Sequence, residues 1–148
     1  MALMLPLLLM ILFAIVDLSY YIYGYSTIYQ AARNGTEKAA ELPPYPSRIS
    51  PPDSSDDCVN AILRATEQGV VQFPDIANFV QISYPTGKRE LSEPIQVEIT
   101  YNIQPLTPLF RFVGFGNQGV MTVHITARRS IESLGNNPNY ANGIACQP

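Results

Sequence analysis

The opening stretch, MALMLPLLLMILFAIV, carries no charged side chain; Asp17 is the first in the chain and Arg33 the first basic one. Such a run must be covered, by a core, a membrane or other copies, because burying one large aliphatic side chain is favourable by about 1.5–3 kcal/mol. As a helix, Met1 to Val16 spans about 24 Å, against a bilayer core of about 30 Å. The difference closes if Leu18 to Ile28 is added. That extension is rich in tyrosine (Tyr20, Tyr21, Tyr23, Tyr25), whose apolar ring and wet hydroxyl suit a membrane–water interface. Pro6 has no N–H to give and is tolerated in a first turn, so the helix is expected to start or bend there. Tyrosines, rather than a small-residue cleavage site, follow the run, and no basic residue precedes it, so it does not read as a cleaved secretory signal.

The helix continues beyond its apolar part. Leu18, Ile22, Tyr25, Tyr29, Ala32, Thr36 and Ala39 alternate at spacings of four and three, a stripe that seeks a partner. Ala31, Ala32, Ala39 and Ala40 permit close backbone approach, while Arg33, Glu37, Lys38 and Glu41 can face water. Pro43, Pro44, Pro46, Pro51 and Pro52 then end it, since proline cannot continue a helix and stiffens the chain into an extended form. The division expected is a long helix over 1–42, with 1–28 as its apolar assembly or membrane segment, a Pro-rich linker over 43–55 and a head over 56–148.

In the head, DSSDDCVNAILRATEQGV reads as a short helix capped by Ser55 or Asp56 and ended at Gly69. Val59, Ile62, Leu63 and Thr66 share its face. Three alternating runs follow. Val80, Ile82 and Tyr84 face inward in NFVQISYP. In IQVEITYNI the inward residues are Ile95, Val97, Ile99, Tyr101 and Ile103. In VMTVHITARRSIE they are Met121, Val123, Ile125 and Ala127. TGKR reads as a turn in which Gly87 takes positive φ. The fold class is therefore α+β: a long N-terminal helix and a small head of one short helix packed on a three-stranded antiparallel sheet with one wet face. Between the last two strands, PLTPLFRFVGFG is too apolar to be left in water and too broken by proline and glycine for a long element. It either caps the core or forms a contact patch.

Charge and chemistry narrow the function. The chain of 148 residues has 9 Lys+Arg against 12 Asp+Glu and no basic cluster, which argues against nucleic acid as a partner. Its 2 cysteines, Cys58 and Cys146, are too far apart for a CxxC motif. In an exported protein they would pair as a disulfide; the alternative is two separate buried thiols. His124 is the sole histidine, on the polar side of a strand between Thr122 and Thr126. An exposed sheet residue is favoured over a general base or metal ligand. Asp53, Asp56 and Asp57 lack the glycine and closing glutamate of a calcium loop and read as capping residues. VGFGNQG has no following lysine and is a weak phosphate loop. No enzyme, metal site or cofactor is expected. Asn34, in NGT, is a candidate glycosylation site.

The pieces and their order resemble those of TadE-like, tight-adherence pilus proteins. ALMLPLLLMILFAIVDLSYY is similar to the N-terminal stretch of that family, and TIYQAARNGTEKAAEL to the Ala-rich helix that follows. IQVEITYNIQPLTPLFRFVG and VMTVHITARRSIE resemble the strand, apolar segment and closing strand, with Arg129 and Glu132 nearest the terminal pattern. One departure is that the glutamate usual ahead of the ALxLP stretch is not present. The resemblance implies a pilin-like subunit that polymerises through its N-terminal helix into an extracellular, adhesive filament. It also implies a basic leader removed by a prepilin-type peptidase, insertion in the inner membrane before assembly, and handling by pilus assembly machinery. Alternatives are a membrane-anchored minor pilin or assembly factor, and a membrane-tethered binding head. In the filament reading Leu3, Leu7, Met10, Ala14 and Asp17 form the assembly core, contacting copies of the same chain. For Asp17, a register-setting bond to a neighbouring subunit competes with bonds to Tyr20 or Tyr21 on its own helix.

Overall fold

The computed structural model describes residues 4–109, 119–134 and 146. Helix α1 covers Met4–Glu41, with Pro6 among its opening residues. Helix α2 covers Asp57–Glu67. Strands β1 (Val80–Ser83), β2 (Pro94–Ile103) and β3 (Met121–Ser130) make a three-stranded sheet in the order β1-β2-β3. β1 and β2 are antiparallel, with Val80 opposite Ile99 and Ile82 opposite Val97. The architecture is the α+β class expected, with the long apolar helix, the short helix and the antiparallel sheet.

The chain divides into two compact units, one of residues 1–26 with 101–123 and one of residues 27–100 with 124–148. The second holds most of the core. Ile82, Ile95, Val97, Ile99 and Ile125 are buried from the sheet, Val59, Ile62 and Thr66 from α2, and Ile28, Ala31, Ala32, Ala39 and Ala40 from α1. Period-two alternation puts the strand residues on one face, and the Ala-rich face of α1 brings backbone close to them. Gly35 marks the tightest approach: a Cβ there would collide with Thr66 Cγ2 and lie 3.6 Å from Val97 Cγ1. A glycine in mid-helix costs about 1 kcal/mol relative to alanine, and here that cost is offset by close packing of α1, α2 and β2.

Asp56 is the N-cap of α2. Its Oδ1 accepts from the N–H groups of Cys58 and Val59 at 2.9 and 3.0 Å, two of the donors that a helix start leaves without partners. Gly69 and Gly87 have φ of 84° and 70°, the left-handed values their turns require. The Pro-rich stretch is not free chain. Leu42, Pro43 and Pro44 are buried, the Tyr84 hydroxyl donates to the Pro44 carbonyl, and Arg89 Nε donates to the Pro43 carbonyl at 2.9 Å. The Arg89 guanidinium also lies 4.1 Å from the centre of the Tyr45 ring. Prolines present carbonyls without competing N–H groups, so the head can hold the stretch by donating to it.

In the first unit, β2 ends with the buried Ile103 and β3 begins with an exposed Met121, a position expected to face inward. Thr122 donates to Asn102 across these two strands at 2.7 Å. The PLTPLFRFVGFG segment and the C-terminal tail fall largely outside the described residues.

Candidate assembly surface

The apolar half of α1 is almost wholly uncovered. Leu7 is 59% and Met10 55% exposed, and Leu5, Leu8, Ile11, Leu12, Ile15 and Val16 are likewise open. Ala14 is partly exposed, and Leu3 lies outside the described residues. The helix is long and apolar enough to cross a membrane. The stripe from Leu18 to Ala39 divides in two: Leu18, Ile22, Tyr25 and Tyr29 are exposed, whereas Ala32, Thr36 and Ala39 are buried. One helix thus carries an intramolecular partner along its second half and an open apolar surface along its first.

Asp17 has partners that the sequence did not suggest. Its side chain is fully buried. Oδ1 accepts from the backbone N–H groups of Leu106 and Thr107 at 3.1 and 2.9 Å, and Oδ2 accepts from the Thr107 hydroxyl. These three donors all come from the loop after β2. The physical reason is that a carboxylate in apolar surroundings demands several donors, and two consecutive backbone N–H groups plus a hydroxyl supply them. Close by in the same unit, the Tyr21 hydroxyl donates to the Gly119 carbonyl. The cue available in sequence was the Thr between two prolines, which reads only as a turn.

The remaining candidates fall elsewhere. Cys58 is buried and Cys146 partly so; their sulfurs lie 2.08 Å apart, at disulfide distance, across 88 residues of sequence. Leu42 and Ala61 pack around them. Asn34 sits in the middle of α1, half-buried. The hydroxyl of Thr36, third residue of its sequon, is buried and donates back to the Ala32 carbonyl at 2.6 Å, so the folded helix does not offer the sequon as an exposed loop. His124 lies on the wet face of β3 beside Glu98, in a surface row where Arg128 Nε donates to Gln96 at 2.6 Å. Among the described residues no group of three or more His, Cys, Asp or Glu side chains could hold a metal ion. Asp53 caps a turn: the Ser55 hydroxyl and backbone N–H bind its carboxylate and, with Arg48 at 3.0 Å, hold its pKa below the ordinary value.

A long helix, apolar and uncovered at one end and built into an α+β core at the other, is the division of labour implied by the pilin-like resemblance. Residues 1–37 match the family model described as TadE-like protein. The match covers most of α1 and none of the sheet. No curated protein and no solved structure matches the chain.

Proposed function

We propose that this chain is a pilin-like structural subunit that polymerises through its N-terminal helix into an extracellular filament serving adhesion or surface attachment. Before assembly it is held in the inner membrane by the same helix. The observation that carries this reading is the open apolar surface of α1, with Leu7 59% and Met10 55% exposed, on a segment matched by a pilus-family model. Exposed apolar area of this extent requires a partner. Copies of the same helix satisfy it in a fibre, and lipid satisfies it beforehand. Prepilin-type peptidase and pilus assembly components are the further partners. Residues 1–28 are the assembly segment, and the second unit's residues beyond the Pro-rich stretch are the part displayed to solvent.

Site-specific photo-crosslinking tests the reading. A photoreactive side chain at Met10, in cells producing the chain together with pilus assembly machinery, is expected to yield a ladder of covalent multiples of this chain. Adducts with lipid alone would overturn it in favour of a solitary anchor.

A further inference from the structure

The lower end of the apolar surface holds a segment with an unusual property. Pro105 and Pro108 have no backbone N–H, and the N–H groups of the two residues between them, Leu106 and Thr107, both donate to Asp17. The Thr107 hydroxyl is also given to this carboxylate. Four consecutive residues of irregular chain therefore present no free backbone donor to their surroundings. Irregular backbone in water has no such need, because water accepts from any open N–H. Beside lipid the need is strong, since an unmet donor costs several kcal/mol there. The same four residues carry Leu106, which is 62% exposed.

The helix at this level is apolar on both sides of the carboxylate: Val16 is 47%, Leu18 58% and Ile22 63% exposed. Whatever covers the helix above Asp17 also meets it below. A bare carboxylate would forbid lipid there; one that is fully buried under its own donors does not.

We infer that Pro105–Pro108, latched onto Asp17, is a membrane-contacting segment that sits in the interfacial layer of the bilayer before assembly, with Leu106 as its apolar anchor. The partner is a lipid surface, met through acyl chains rather than through a specific headgroup, because the segment offers apolar surface and carbonyl groups but no cationic side chain. Asp17 is a positioning residue: it removes the donors and fixes the segment to the helix. This inference rests on the membrane-inserted state proposed above.

The chain contains 0 tryptophans, so a single introduced one reports depth without background. Three variants, Leu106→Trp, Phe13→Trp and Val71→Trp, are reconstituted in phosphatidylcholine vesicles whose acyl chains are brominated near the headgroup end. Position 13 lies in the apolar helix, and position 71 is 92% exposed in the second unit. Emission from position 106 is expected to fall by roughly half, as for a side chain inserted several Å below the headgroups, with position 71 unaffected. Adding Asp17→Ala to Leu106→Trp is expected to abolish this quenching. Quenching at 13 with none at 106 overturns the inference and leaves membrane insertion intact. No quenching at 13 overturns the insertion reading and the inference with it. Quenching at 106 that persists with Asp17→Ala overturns the latch.

Discussion

Two residues in the second unit carry disproportionate weight for their size. Gly35 is there for what it lacks. Gly35→Ala gains helix propensity but drives a Cβ into Thr66, and overpacking of this kind costs about 1–3 kcal/mol. The variant is expected to melt at lower temperature than the native chain, with Gly35→Ala/Thr66→Ser recovering part of the loss because the colliding methyl is gone. Tyr84 holds the Pro-rich stretch through its hydroxyl. Burial pushes its pKa up to about 12, with the Arg89 guanidinium pulling partly back. The unfolded chain loses this proton near pH 10 and the folded chain only near 12, so the folded state binds more protons in between. Stability is therefore full below pH 10 and falls as pH rises towards 12, by about 2–3 kcal/mol from this group. Denaturant unfolding across that range should show the fall in the native protein. Tyr84→Phe should lack this component of the fall.

At the scale of elements, periodicity carried most of the information. The inward positions of β1 and β2 and the face of α2 follow directly from alternation and helical spacing, because each element has one face against a single core. The capping carboxylate of α2 was legible as one of two adjacent candidates, and geometry selects Asp56. Met121 was misplaced by the same rule, since it begins β3 where the second unit's core has ended. The stripe on α1 was legible, and so was the contrast between an apolar first part and a packed second part; the residue at which exposure gives way to burial, between Tyr29 and Ala32, was not, because spacing records which residues share a face, not what meets them. The bonds of Asp17 were not legible at all, because they join residues about ninety apart in sequence and depend on a loop's backbone. The packing role of Gly35 could have been suspected from its place among Ala31, Ala32, Ala39 and Ala40. The cysteine pair belongs to this scale too, fastening the chain near its C-terminus to α2. Reduction, or Cys58→Ser/Cys146→Ser, is expected to lower stability by about 2–5 kcal/mol, measured by denaturant unfolding with and without reductant. Equal stability in both conditions would mean that the pair is not joined in the native protein.

For the whole molecule, the placement of the buried half of α1 in the core of the second unit has a practical consequence. A fragment starting at Asp53 would lose Ile28, Ala31, Ala32, Ala39, Ala40 and Leu42 from that core, so a folded soluble head must keep the helix from Thr27 onward. On the proposed reading it also separates assembly from folding. Leu7 lies in an open surface of the first unit, and its replacement by a charged residue removes no core contact of the second. With a net charge of only -3, long-range repulsion between copies is modest and screened at physiological salt, so apolar contact between helices is the dominant attraction available for polymerisation. Placing a carboxylate within that contact costs several kcal/mol when it finds no donor.

Electron microscopy of the assembled native chain beside Leu7→Asp, with circular dichroism of both, tests polymerisation through the helix most directly. Assembly by this route predicts fibres from the native chain and discrete particles from Leu7→Asp, with the circular dichroism of the two alike. Normal fibres from Leu7→Asp would contradict it.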